Sequence, residues 1–218
     1  SSGTHVAIDA SHLGKIEAGK ITLLATEVGA GERSPGLNSD GDILIKAVGA
    51  VDRPQFVGPH ADLQEATANL KINAKGNLHL CAGSLENSYV LKISGSTSIE
   101  TDNHVNNTNV ISSRGNLQVS ASTLTNSGRL CSKMGSMMLI VRQGGIHNNR
   151  GLISHETLQN ESGSPSIRSL YINSTGRFIN AGAIVWNGPL SVSASPLENE
   201  DVLTSHKGGI DLQSSQKI

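Results

Sequence analysis

The residues best suited to bind a metal ion in this chain are its 8 histidines and 2 cysteines. Metal sites that can be read from a sequence bring their ligands close together, as in His-Glu-x-x-His, where two imidazoles share one face. Neither that motif nor a close pairing of histidine with cysteine is evident, and Cys81 and Cys131 lie far apart. His79 lies between two leucines that should point inward, so its side chain should reach solvent. We therefore expect no metal ion and no cofactor.

Acid–base chemistry on a polysaccharide would need carboxylates at set separations. In a coiled β structure such groups would lie at outward positions of neighbouring strands. Those positions hold, along the chain, His79, Ser98, Gln118, Met138, Ser191 and Asp211. Adjacent coils offer no carboxylate pair there, and no nucleophile elbow, phosphate-binding loop or dinucleotide fingerprint occurs. We predict that the chain is not an enzyme.

The composition limits the elements that could position any functional group. The 218 residues are 36% hydrophobic, 2% aromatic and 16% charged, with 24 glycines and a net charge of -1. Bulky side chains are too few for an ordinary globular core, and charges are too few for a disordered chain. No basic stripe indicates a nucleic-acid partner, and no run of about 18 apolar residues indicates insertion into a membrane. Stacked small units fit this composition best.

Glycines that precede short alternating apolar runs recur about every twenty residues, in two groups. They are Gly76, Gly95, Gly115 and Gly135, then Gly188 and Gly208. Residues 170–172 supply a strand in the interval between the groups. Such short strands, with no helical pattern between them, cannot bury their apolar faces alone and must stack. The predicted fold is all-β: a right-handed parallel β-helix, a solenoid of about twenty-residue coils with short surface insertions.

A second series runs in phase with the glycines: an apolar residue, any residue, then asparagine, followed by another short strand. Its asparagines are Asn87, Asn107, Asn126, Asn148, Asn180 and Asn199. Coils stack about 4.8 Å apart, so these side chains can hydrogen-bond one another through their amides. We predict a structural asparagine ladder.

Two segments interrupt the period. We expect first coils in residues 1–50, an irregular excursion in 51–69, and regular coils in 70–218 with an insertion near 155–169. Solenoids carry insertions on their surface, often on a binding face. Segments 52–68 and 155–169 are therefore candidate receptor contacts, with inert decoration as the alternative. The residues of interest there are Arg53, Phe56, His60, His155, Glu161 and Arg168.

The first forty residues resemble a stretch of the filamentous haemagglutinin-like exoproteins, which are adhesins and contact-dependent inhibition toxins exported by two-partner secretion. The resemblance is most specific over residues 7–31, in Ala-Ile-Asp-Ala-Ser-His-Leu-Gly and the Ala-Gly-Lys-Ile-Thr-Leu that follows. Coils such as Leu124-Thr-Asn-Ser-Gly128 are similar to that family's haemagglutinin repeats. The sequence departs from the family at residues 15–17, Lys-Ile-Glu, where the family has Gly-Met-Tyr.

The resemblance implies a non-catalytic β-helical shaft segment of a large protein secreted to the bacterial cell surface. Its implied partners are a receptor on a host or a neighbouring bacterium and, during export, an outer-membrane transporter. We expect no nucleic-acid partner, no membrane insertion of this segment, and a monomeric fragment. Two alternatives stay open: a receptor-binding module acting through segments 52–68 and 155–169, and a β-helical polysaccharide-degrading enzyme.

Overall fold

The computed structural model describes residues 8–9, 16–19, 21–25, 32–47, 67–156 and 168–215. Within these ranges every regular element is a β-strand and no helix occurs. The strands are β1 (Ile8–Asp9), β2 (Ile16–Ala18), β3 (Ile21–Ala25), β4 (Glu32–Ser39), β5 (Ile43–Ala47), β6 (Thr67–Ala74), β7 (Leu78–Ala82), β8 (Ser84–Asn87), β9 (Leu91–Ile93), β10 (Thr97–Thr101), β11 (His104–Asn107), β12 (Val110–Ser113), β13 (Leu117–Asn126), β14 (Arg129–Ser132), β15 (Met137–His155), β16 (Leu170–Ser174), β17 (Phe178–Trp186), β18 (Leu190–Ser193), β19 (Leu197–Asn199), β20 (Leu203–Ser205) and β21 (Ile210–Gln213).

Parallel pairings sort these strands into three stacks. The first stack is β3–β5–β7–β10–β13–β15–β16–β18–β21. The second is β1–β4–β6–β8–β11–β13–β15–β17–β19. The third is β2–β4–β6–β9–β12–β14–β15–β17–β20. The long strands β4, β6, β13, β15 and β17 turn a corner and so belong to more than one stack.

The register of the first stack confirms the predicted period. Leu78, Thr97, Leu117, Met137 and Leu170 are Cα partners in turn, one from each successive coil. The strand expected between the two glycine groups is therefore β16. The described residues form a parallel β-solenoid whose stacked coils are about 20 residues long, the coil length that the spacing predicts. The strands of residues 8–47 join the same three stacks.

Alternation along each strand builds the core. In β7, Leu78, Leu80 and Ala82 are buried, while His79 and Cys81 between them are partly exposed. The same alternation in each stack fills a narrow interior with aliphatic side chains. Because one coil encloses only a few such side chains, each coil depends on the coils above and below it.

The first residue of the insertion predicted near 155–169, His155, lies in a strand. β15 extends to His155, which is only 8% exposed. His155 pairs with Ser132 of the preceding coil in the third stack. His155 is thus part of the coil, and the prediction that it lies in a surface loop is wrong.

The irregular segment predicted at 51–69 ends earlier than expected. β6 begins at Thr67 and pairs from its first residues with β8. Thr67 and Ala68 lie in a strand because they form the second-stack part of this coil. Residues 48–66 and 157–167, where most of both segments fall, lie outside the described residues.

Candidate functional site

A ladder of asparagine side chains runs through the interior at the end of the second stack. Each amide donates from its Nδ2 to the Oδ1 of the asparagine in the next coil, and the five bonds measure 2.7 or 2.8 Å. They join Asn87, Asn107, Asn126, Asn148, Asn180 and Asn199, in that order. All except Asn199 are buried. Because a buried amide without a partner is costly, this chain of bonds requires asparagine at the same place in each of these six coils.

The same amides also fix the corner between the second and third stacks. Asn107 Nδ2 donates to the Arg129 carbonyl at 3.2 Å, and Asn180 Nδ2 donates to the Val202 carbonyl at 3.0 Å. These carbonyls lie at the start of the third stack in the following coil. Asn107 and Asn180 therefore tie their own coils to both the side chain and the backbone of the next one.

A second polar series, which the sequence analysis missed, lies at the turn before the first stack. There a side-chain oxygen accepts the backbone N–H of the next coil, at 2.8–3.2 Å. The series runs through Asp42, Asn77, Ser96, Asn116, Ser136 and Ser169. The feature of the sequence that could have predicted this series is the short polar residue directly after each periodic glycine. It stops where Pro189 follows Gly188, because proline has no N–H.

A histidine links two coils on the outer side of the second stack. His104 Nδ1 lies 3.2 Å from Ser84 Oγ, and its Nε2 lies 2.7 Å from Glu86 Oε1. Asn106 Nδ2 donates to Glu86 Oε2 at 2.8 Å. A hydroxyl, an imidazole and a carboxylate in a row form the usual order of nucleophile, base and orienting acid. Ser84 is 0% exposed, so a substrate cannot reach its hydroxyl, and the cluster instead ties β8 to β11.

A thiol and an imidazole meet on the outer side of the first stack. His79 Nε2 lies 3.2 Å from Cys81 Sγ, and both residues are partly exposed. The expectation that no histidine and cysteine form a close pair is therefore wrong. Residues two apart in a strand share a face, and that spacing was the signal in the sequence. The prediction that His79 points outward holds.

The other cysteine lies beneath ion pairs on the third stack. Glu156 bonds to both Lys133 and Arg129, with 3.0 Å between Lys133 Nζ and Glu156 Oε2. The Lys133 hydrogen bond and the charge of Arg129 hold the pKa of Glu156 below its usual value, although partial burial opposes them. Cys131 is 1% exposed, and this burial, with the nearby Glu156 charge, raises the pKa of its thiol.

The described residues include two of the six candidate receptor contacts, His155 and Arg168. His155 is buried, and its ring packs against that of Trp186 with 5.1 Å between centroids. Arg168 is partly exposed, and its backbone carbonyl accepts a 2.9 Å hydrogen bond from Trp186 Nε1. Both therefore belong to the solenoid wall. The other four, Arg53, Phe56, His60 and Glu161, lie outside the described residues.

In the described ranges, no three or more histidine, cysteine, aspartate or glutamate side chains are grouped so as to hold a metal ion. No helix long and apolar enough to cross a membrane is found in those ranges either.

Comparison with known proteins gave one family match. A family model described as haemagglutinin repeat matches residues 60–218. A search of curated proteins gave no match. A search of solved structures also gave none. The matched range begins just before β6 and contains the whole asparagine ladder.

Proposed function

We infer a function from the premise that this chain belongs to the filamentous haemagglutinin-like family. We propose that it is a non-catalytic β-helical shaft segment of a large bacterial surface protein, either an adhesin or a contact-dependent inhibition toxin. The shaft extends a binding or toxin-carrying tip away from the cell. The haemagglutinin repeat and the β-solenoid both support this proposal.

The asparagine ladder carries the proposal. Its five bonds join one coil to the next, and none of them is aimed at a ligand. Asp42 and Asn77 begin a second series that does the same work at another corner. A chain whose repeated asparagines form coil-to-coil bonds is suited to maintaining distance and stiffness.

The location and partners of the parent protein are part of the same proposal. Proteins of this family are typically secreted surface adhesins, so we place the shaft outside the bacterial cell. An outer-membrane transporter would export the parent protein, and a receptor on a host or neighbouring bacterium would meet its tip. The segment itself contacts neither nucleic acid nor the membrane interior, and it is monomeric.

Two other functions compete with the shaft. In the first, segments 52–68 and 155–169 bind a receptor directly. The burial of His155 weakens that version, because it removes one of its six candidate contacts. In the second, the chain degrades a polysaccharide. In the row of hydroxyl, imidazole and carboxylate that the described residues contain, the hydroxyl of Ser84 has no access to solvent.

A binding experiment separates these functions. The labelled chain is mixed with a panel of host cells and bacteria, and saturable binding is measured by flow cytometry. A shaft should show none, both before and after residues 52–66 and 157–167 are replaced by short Gly-Ser linkers. Saturable binding that disappears with either replacement would overturn the shaft in favour of the binding module. Release of reducing ends or unsaturated products from a polysaccharide panel would establish the enzyme.

A further inference from the structure

The contact between Cys81 and His79 is a chemical pair that a shaft does not require. The two side chains emerge from one face of β7, with 3.2 Å between Cys81 Sγ and His79 Nε2. That distance lies within the reach of a hydrogen bond to sulfur. A nucleophile and a base in hydrogen-bonding distance are the geometric signature of an activated nucleophile.

The surroundings of the pair leave it open to a reagent. Both residues are partly exposed on the outer wall. In the register of the first stack, Lys46 of β5 and Glu100 of β10 are the Cα partners of Cys81. Positions beside His79 carry no charge, being Leu44 and Ser98. Among the described side chains, His79 is the base that contacts the thiol.

Cys131 provides an internal contrast. It is also on a solenoid wall, yet it is 1% exposed beneath the ion pairs of Glu156. Burial raises the pKa of the Cys131 thiol, and only the thiolate is a nucleophile. The two cysteines of one chain should therefore react very differently.

We propose that Cys81 and His79 form a nucleophile–base pair that exchanges with a low-molecular-weight disulfide, so that Cys81 is a site of reversible covalent modification. His79 Nε2 accepts the proton from Cys81 Sγ. The thiolate attacks one sulfur of the disulfide, a new sulfur–sulfur bond forms, and the sulfur–sulfur bond of the reagent breaks. The departing sulfur takes the proton from the His79 imidazolium and leaves as a thiol. Cys81 is oxidised to the mixed disulfide, and half of the reagent is reduced.

The test uses the whole chain and an aromatic disulfide, 5,5′-dithiobis(2-nitrobenzoic acid), whose released thiol is followed by absorbance. Peptide mass mapping identifies the modified residue. We expect one fast equivalent at Cys81, and reaction at Cys131 only after unfolding. His79→Gln and His79→Thr should each slow the reaction at pH 7 by roughly threefold or more, because few ordinary thiols are ionised there. The loss should vanish at alkaline pH, where the thiol ionises without a base.

His206→Gln is the matched control, because His206 is an exposed histidine in the final coil, away from both cysteines. Circular dichroism melts establish that each variant is folded. Equal rates at pH 7 for the wild-type chain and both His79 variants would overturn the pairing. Modification of Cys131 as fast as that of Cys81 in the folded chain would overturn the choice of site.

Discussion

The buried asparagines of the ladder contribute to stability by bonding to the asparagines of neighbouring coils. Asn126 accepts from Asn107 at 2.7 Å and donates to Asn148 at 2.8 Å. Its removal interrupts the ladder in the middle. The two neighbours are then left with buried polar atoms that water cannot reach, and this loss exceeds the value of the bonds themselves.

We predict that Asn126→Ala lowers the free energy of unfolding by about 2–4 kcal/mol, because one donor and one acceptor lose their partners in the interior. The measurement is chemical denaturation followed by circular dichroism. Asn149→Ala is the matched control: Asn149 is exposed and already has Ala181 as its partner in the next coil. The control should change stability by less than about 0.5 kcal/mol. Equal effects of the two substitutions would show that the ladder contributes nothing particular.

A glycine at the corner between the first and second stacks gives a second residue-scale prediction. Gly145 has φ +96°, and a Cβ there would meet the backbone of Arg177 in the next coil. Gly145→Ala should therefore destabilise the fold by more than about 1 kcal/mol. Gly209→Ala is the control, since a Cβ at Gly209 meets nothing within 4 Å. The midpoints of thermal unfolding of the two variants test this prediction, and equal midpoints would contradict it.

What could be predicted at this scale depended on repetition. The asparagines were found because one residue type recurs at one place in every coil. The pairs His79–Cys81 and Ser84–His104 were not found, because each occurs once and depends on which face of a strand a side chain takes. His155 was misassigned for a related reason: it occupies a corner position where the neighbouring coils have Ser132 and Trp186, so residue type gave no guide.

At the scale of elements, strands of one stack are joined by side chains as well as by backbone bonds. Arg129 is the first residue of β14 and Lys133 follows that strand, while Glu156 follows β15, so their ion pairs join two coils on the outer wall. The Lys133 hydrogen bond is the main cause of the lowered pKa of Glu156. A lowered folded-state pKa gives stability that is present above the usual value of 4.5 and lost as the pH falls through the folded value.

We predict that Glu156→Gln flattens the dependence of the melting temperature on pH below about 4.5, relative to the wild-type chain. Above that pH the variant should melt at a lower temperature, by a small amount because the group is partly exposed. Thermal melts between pH 7 and pH 3 test this. Repeating them in 1 M salt, roughly a 3 Å screening length, should shrink the difference. A variant that follows the wild-type curve at every pH would contradict the role of the pair.

Element boundaries were predictable only where the period was intact. The alternation after Gly76 and Gly115 indicates the first-stack strands, and the structure has β7 and β13 there. The start of β6 at Thr67 was missed because prolines and lost alternation nearby hid a short run that pairs with β8. Tertiary pairing, which a local pattern does not contain, decided that boundary.

At the scale of the whole molecule, the solenoid should behave as a sum of coils and their interfaces. Residues 97–116 form one complete coil, since Thr97 and Leu117 are Cα partners. Adding or removing that unit keeps every stack and the ladder in register. Adding half of it does not, because inward and outward positions and the three stacks are then misaligned.

We predict that inserting three further copies of residues 97–116 after Asn116 gives a folded chain whose long dimension grows by about 14 Å. Small-angle X-ray scattering measures the length, and circular dichroism the strand content. The control inserts three copies of residues 97–106, which break the register and should reduce both strand content and cooperativity. A folded and equally lengthened control would show that the coil is not the unit of stability.

The direction of the asparagine ladder has an electrical consequence for the rod. Every amide donates toward the carboxyl-terminal coil, from Asn87 to Asn199. The five amide dipoles therefore point the same way and reinforce one another, as peptide dipoles do in a helix. At Asn87, the first of them, the buried Oδ1 accepts no hydrogen bond from any described residue, and it marks the negative end of the array. The interior of the solenoid thus has a polarity. If a second such solenoid packed against its end, the asparagine hydrogen bonds could continue only in a head-to-tail arrangement.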